Sequence, residues 1–388
     1  MQNPSIAVNM SASDHTPKQN IDFTPELRQW LRRELSLEEL PALKPLGGDA
    51  GFRRYFRFAG DIRKDGRALM AVFAPPDVEK NEEFVAVSEL LTTLGAKTPE
   101  IFAKDLEQGF FLLEDLGSQH LFDVLSRDNV SDLYGHASEL IISIQQGSQV
   151  SVLPAYDEEL LNREMSLFGE WFVPKLLGHE VSRDEQHMLD ACFTLLADSA
   201  LQQEYRLVHR DYHSRNIMLD DNGLALIDFQ DAVWGPVTYD LVSLLRDCYV
   251  YWPEATVYQA LEVHWQKMPT ELKGEMNFPQ FKKAFDWMGL QRHIKVLGIF
   301  ARLALRDNKQ AYLNDLPLVI RYTLEVAEHY EELAEFVSWF KQRLLPLCEQ
   351  QDWYQDYRQA GEQGAHLSRE SATLPFVGAN DLLLKESS

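Results

Sequence analysis

The feature that most constrains this chain is one polar interruption in a long helical stretch. From Ser118 onward apolar residues recur mostly at helical spacing, except across "RLVHRDYHSRNIMLDDNGLALIDFQDA". That segment reads as two short strands turned at Asn222-Gly223, a dipeptide suited to the left-handed backbone of a tight hairpin. Polar residues flank each strand: His209-Arg210-Asp211 and Asn216 before the first, Asp228 after the second. The hairpin would bring Asn216 and Asp228 to neighbouring strand ends.

Upstream the pattern changes. Thr24 and Pro25 open a helix, "PELRQWLRREL", that puts Leu27, Trp30, Leu31 and Leu35 on one face. "LKPLGGDAGFRRYFRF" and "RALMAVFA" then read as strands, "EKNEEFVAVSELLTTLG" as a helix, and "PEIFAKDLEQGFFLLEDLG" as two more strands. The expected fold class is α+β and bilobal, protein-kinase-like, with a small β-rich N-lobe and a large, mainly helical C-lobe. The expected divisions are a disordered start at 1–22, the N-lobe at 23–117, the C-lobe at 118–350 and a tail at 351–388, partly disordered. After Ala360 no period is sustained. Within the C-lobe, Ser182 and Glu185 have the spacing of a capping box.

His-Arg-Asp, four residues, then Asn is the spacing of a phosphotransferase catalytic loop, and Asp228-Phe229 follows where a metal-binding Asp-Phe belongs. The residue types suit the chemistry. Phosphoryl transfer from ATP spreads negative charge over the phosphate oxygens, and Mg²⁺ prefers oxygen ligands, commonly one or two carboxylates besides the phosphates. Asn216 and Asp228 would hold Mg²⁺, and Asp211 would orient the attacking hydroxyl and take its proton. His209 would anchor the loop.

Three further readings concern the nucleotide. Gly47, Gly48 and Gly51 in "LGGDAG" would let backbone N–H groups approach phosphate closely. Glu114 to Leu116, in "FLLEDLG", would pair adenine through the backbone. The third strand, "ALMAVFAPP", lacks the lysine expected of a kinase-like small lobe. Arg54, in phase with Phe52, Phe56 and Phe58, is the expected substitute, with Lys80 in reserve; Arg53 and Arg57 would lie on the opposite, solvated face.

The chain has 388 residues and a formal charge of −23. Such a field disfavours binding to nucleic acid or anionic membranes. No apolar run is long enough to span a bilayer, and "MQNPSIAVNMSASDHTPKQN" lacks a signal peptide's apolar core, so a cytoplasmic location is expected. Cys192, Cys248 and Cys348 are far apart in apolar contexts, as expected of reduced core thiols. An oligomeric state is not fixed by these features.

"GDAGFRRYFRF", "HRDYHSRNIML", "IDFQDAVWGPVTYDLVSLLRDCY" and "LQRHIKVLGIFARLALRDNKQAYLNDLP" together resemble the aminoglycoside phosphotransferase and choline kinase superfamily. Within it the likeness is to the bacterial N-acetylmuramate/N-acetylglucosamine kinases, over roughly Leu27 to Leu347. The resemblance implies an ATP- and Mg²⁺-dependent kinase that acts on the anomeric hydroxyl of an amino sugar in cell-wall recycling. It implies Asp211 as base, Asn216 and Asp228 as metal ligands, and Asp240 as a buried brace for the loop. Gly51 stands where the family usually has Ser, which removes a hydroxyl from the phosphate turn. N-acetylmuramate carries a lactyl carboxylate, for which Arg246, Arg292 or His293 are candidate partners. Glu164 and Trp171 share a helix face that could meet the sugar. Two alternatives remain: another acceptor (an aminoglycoside, choline or homoserine), or a pseudokinase-like binding protein, which the missing lysine favours and the full set of Asp211, Asn216 and Asp228 opposes.

Overall fold

Helix α1 (Thr24–Glu34) buries Leu27, Trp30 and Leu31, the stripe that their spacing sets out. The computed structural model in which it lies describes residues 24–47, 52–148, 151–220 and 223–368. The stripe packs on a sheet of β1 (Leu43–Pro45), β2 (Arg54–Phe58), β3 (Arg63–Lys64), β4 (Arg67–Phe73), β5 (Ile101–Asp105) and β6 (Phe110–Glu114). Strand order is β1-β2-β4-β6-β5, with β3 beside β4. Alternate residues face α1: Phe56 and Phe58 on β2, Leu69 and Ala71 on β4, Phe110 and Leu112 on β6. Gly109, at φ +71°, makes the β5–β6 turn; a Cβ there would lie 2.0 Å from the Ala74 carbonyl oxygen.

The alternation does not carry inward to Arg54. Arg54 begins β2 and is exposed, and Phe52 before it is 60% exposed. Arg53 is the buried arginine instead, with Nη2 3.5 Å from Glu79, whose other oxygen accepts from the Phe52 N–H at 2.9 Å. A carboxylate just ahead of the next helix thus outweighs strand periodicity. Gly47 has open space about it, while Gly48 and Gly51 lie outside the described residues.

The chain divides into two compact units: the smaller runs to Glu79 and includes Ile101–Leu113, and the larger holds Lys80–Glu100 and everything from Glu114. The expected N-lobe, 23–117, takes in residues 80–100, which here go with the larger unit. In the larger unit, α2 (Asn81–Thr93) stacks Phe84 on Phe229 at 4.9 Å. After it, the Lys97 carbonyl accepts from Leu226, and the Lys97 ammonium pairs with Asp220 and, at 3.2 Å, Glu114. These contacts commit residues 80–100 to the larger unit.

The larger unit continues with α3 (Leu121–Val124), α4 (Val130–Gln145), α5 (Glu158–Leu167) and α6 (Arg183–Leu201), the last opened by the Ser182–Glu185 capping box. Then come β7 (Tyr205–Val208), β8 (Ile217–Asp220), β9 (Gly223–Leu226) and β10 (Val233–Pro236). β8 and β9 form the expected hairpin; Asn222 in its turn lies outside the described residues. β10 pairs with β7, a second ribbon that the Gly-Pro ending of "VWGP" disguises as loop. The helices α7 (Tyr239–Leu245), α8 (Glu254–Lys267), α9 (Thr270–Lys273), α10 (Phe278–Arg306) and α11 (Leu316–Ala327) follow.

α10 is the central element, packed on α5, α6, α7 and α11. At Gly298 it comes so close to α5 that a Cβ would lie 2.3 Å from the Leu167 carbonyl carbon. There α5 gives way to a π-helical stretch, Phe168–Leu176. Beyond Ala360 the chain is ordered further than its sequence suggests. Arg321 holds the Ala360 carbonyl at 3.0 Å, and His366 packs on Trp252 within a short helix, Ala365–Ser368. The three cysteines are buried with free thiols, and among the described residues no helix is long and apolar enough to cross a membrane.

Candidate active site

The loop between β7 and β8 is held from one side by α7. Asp240, in the first turn of α7, accepts from the His209 N–H at 2.7 Å and the Arg210 N–H at 3.1 Å. Asp247, just beyond α7, accepts from the Ser214 N–H at 2.9 Å and its hydroxyl at 2.5 Å. Tyr212 is buried between them, its hydroxyl donating to the Ala137 carbonyl at 2.9 Å. Arg210 is held at φ +75°, left-handed backbone that a side chain adopts only under such constraint. His209 is buried, and that burial pushes its imidazole down to about 4, so it is a neutral packing group as expected of an anchor. Burial raises Asp240 to about 7, against the pull of its two backbone donors.

Asn216 and Asp228 come together as the hairpin requires. The Ile227 N–H donates to the Asn216 carbonyl at 3.1 Å, which seats Asp228 beside the start of β8. The Asn216 amide nitrogen donates to the Asp211 carbonyl at 3.1 Å, turning its Oδ1 the other way. Asp228, at φ +63°, is exposed, and its carboxylate accepts from Gln230 at 2.8 Å. One carboxylate and one amide oxygen at adjoining strand ends fit Mg²⁺, which takes few protein ligands and completes its shell with phosphate and water. A zinc-type cage is absent: among the described residues no three acidic, imidazole or thiol groups converge.

A group of cations lies around Asp211. Burial alone would raise its carboxyl, but Lys295, with His213, Arg210 and Arg292, outweighs that and holds it below the usual range. Lys295 of α10 donates to the Tyr239 hydroxyl at 3.0 Å and pairs with Glu164 of α5 at 2.9 Å. Glu164 also binds the Arg210 guanidinium and the Tyr156 hydroxyl, and Gln291 donates to that hydroxyl at 3.2 Å. Burial would raise Glu164 too, but Lys295 and Arg210 keep it below its ordinary value. One carboxylate thus ties α5, α10 and the catalytic loop together.

The expected substrate residues separate. Glu164 reaches the loop, but as this ion-pair hub rather than a sugar contact. Arg246 is buried and bound to Asp286 at 2.7 Å, which makes it structural. His293 is stacked on Tyr322 with its Nε2 3.1 Å from the Arg246 carbonyl, and burial drives it down to about 3; it too is structural. Trp171 sits in the π-helical stretch, half-buried, with the Lys175 ammonium 3.6 Å from its ring centre, so its open face is covered. Arg292 alone of these is buried with no hydrogen bond or ion pair among the described residues, and its charge is one of those that hold Asp211 down. The Glu114 N–H is bonded to the Glu100 carbonyl at 2.8 Å, which removes it as an adenine donor; the Leu116 N–H carries no hydrogen bond among the described residues. Lys80 pairs with Asp231 at 2.6 Å, three residues past Asp228.

Sequence reasoning passed over Lys295 and Asp247. The signal was present in "GLQRHIKVLG", where polar residues break an otherwise apolar run in a helix buried on nearly every side.

A profile of the Phosphotransferase enzyme family matches residues 42–275. The N-acetylmuramate/N-acetylglucosamine kinase of Pseudomonas aeruginosa is 43% identical over 294 residues, 76% of this chain and 86% of that protein. The protein of the same name from Neisseria meningitidis is 35% identical over 80% of this chain and 92% of its own length. Among solved structures, a choline/ethanolamine kinase family protein from Mesorhizobium loti aligns at TM-score 0.56 and 14% identity, covering 81% of this chain and 98% of that one. An ADP-bound aminoglycoside phosphotransferase aligns at TM-score 0.53 and 12% identity, covering 78% and 98%. These two share the protein-kinase-like fold. With a catalytic loop of that spacing and a profile match over most of its length, the chain belongs to the phosphotransferase enzyme family.

Proposed function

We infer that the protein is an ATP-dependent kinase that phosphorylates the anomeric hydroxyl of N-acetylmuramate and N-acetylglucosamine in the cytoplasm, giving sugar 1-phosphates for cell-wall recycling. The observation that carries this reading is the identity, up to 43% over three quarters of the chain, with kinases named for those two sugars. The loop geometry supports it. Asp211 accepts the hydroxyl proton as the oxygen–phosphorus bond forms; its lowered basicity suffices because an anomeric hydroxyl is more acidic than an ordinary alcohol. Asn216 and Asp228 would hold Mg²⁺, which when bound neutralises charge on the nucleotide phosphates. Asp240 and Asp247 fix the loop so that Asp211 need not reorganise. Leu116 offers a backbone donor for adenine. Lys80, paired with Asp231 three residues past Asp228, serves better than Arg54 as the cation replacing the absent strand lysine.

The test is ADP release from Mg·ATP with N-acetylmuramate, N-acetylglucosamine, kanamycin and choline. Turnover with both amino sugars, lost on their 1-deoxy analogues, is expected. Turnover with kanamycin or choline alone would reject the acceptor assignment while leaving the phosphotransferase in place.

A further inference from the structure

From Ala284 to Gly298 nearly every residue of α10 is buried, so each charge there needs an answering group. Asp286 has Arg246 at 2.7 Å and Lys282 at 2.9 Å. Lys295 has Glu164 and the Tyr239 hydroxyl. Arg292 is the exception. It is 3% exposed, makes no hydrogen bond or ion pair among the described residues, and its Nη1 is sealed off without a partner. A guanidinium cannot escape the cost by losing its proton, as a buried lysine can.

The position of this unanswered charge narrows what could answer it. The charged groups that act on Arg292 are Asp211 and Asp247. Asp247 is already occupied by Ser214 and by the Tyr249 N–H at 2.9 Å. Arg292 lies one turn before Lys295 on α10, and the bonds of Lys295 to Tyr239 and Glu164, with Glu164 on Arg210, set that face of the helix beside the loop that carries Asp211. One acceptor named above carries a carboxylate, on the lactyl ether two ring carbons from the reacting hydroxyl, and a planar guanidinium matches a carboxylate in shape and charge.

We propose that Arg292 is a specificity-determining residue that binds the lactyl carboxylate of N-acetylmuramate while its C1 hydroxyl rests on Asp211. This rests on the amino-sugar kinase reading. N-acetylglucosamine lacks the group and leaves Arg292 unanswered.

Steady-state kinetics of wild type, Arg292→Met and Arg292→Lys on both sugars test it. The readout is the ratio of kcat/KM for N-acetylmuramate to that for N-acetylglucosamine. Arg292→Met should lower this ratio by about 10- to 100-fold, the worth of a charge-assisted hydrogen-bond pair, mostly through KM. Arg292→Lys, which keeps charge but not the fork, should fall between. A complement needs no mutation: wild type should discriminate against the lactyl amide of N-acetylmuramate by a similar factor. Equal losses on both sugars, or an amide used as well as the acid, would reject the carboxylate site and make Arg292 a support of the loop. A wild-type protein that turns over neither sugar would instead reject the kinase reading beneath it.

Discussion

Glu164→Gln is the most informative single substitution, because one carboxylate answers two cations of the catalytic centre. In the native protein Glu164 is 7% exposed, Lys295 9% and Arg210 18%. Removing one member of a buried ion pair costs about 3–5 kcal/mol, since the other charge is left without compensation. Arg210 keeps some access to water and Lys295 can release its proton, so the lower end applies, about 3 kcal/mol. Urea unfolding at pH 7 measures it as a shift in midpoint at unchanged slope. The pH dependence has a definite sign. Glu164 is held below 4.5 in the folded protein, so its contribution is fully present above that value and is lost as pH falls through the lowered one. The gap between wild type and variant should be flat from pH 5 to 8 and narrow in more acidic solution. Adding Lys295→Met to Glu164→Gln should recover part of the loss by removing one stranded cation. A gap below about 0.5 kcal/mol at pH 7, or one that widens as pH falls, would refute the hub.

Two further outcomes follow from the loop. Asp211→Asn should lower kcat by about 10²–10⁴-fold while nucleotide affinity, measured by calorimetry, stays close to wild type. Asp228→Ala should weaken ATP binding when Mg²⁺ is present and leave metal-free ATP binding little changed, a contrast calorimetry with and without chelator resolves.

The site was legible where its chemistry is local in sequence. Asn216 and Asp228 flank one strand–turn–strand segment, whose register sets them at adjoining strand ends, and Asp211, five residues before Asn216, is tied to its amide. Residues supplied by distant helices were harder to read. Helical spacing puts Arg292 and Lys295 on one face of α10, but it does not say that Glu164, over a hundred residues away, waits for Lys295, or that Asp286 has claimed Arg246. Two periodicity arguments failed for local reasons. Arg54 has the right phase but stands at the start of its strand, where Glu79 draws Arg53 inward instead. Trp171 was placed by α-helical spacing, and the π-helical stretch at Gly298 re-aims every side chain after Leu167. The ordered stretch up to Ser368 depends on Arg321 and Trp252, which no local pattern in the tail announces.

Asp240 and Asp247 make α7 a spacer of fixed length, with a clamp at each end for the two halves of one loop. A spacer tolerates changes of composition more readily than changes of length. One residue inserted in α7 would advance its far end by about 1.5 Å and turn it by roughly a quarter of a revolution, carrying Asp247 away from Ser214. Among descendants of this chain, substitutions along Leu241–Leu245 are therefore repairable by repacking, whereas insertions and deletions there are not. Length variation should be confined to segments outside the span between the two clamps.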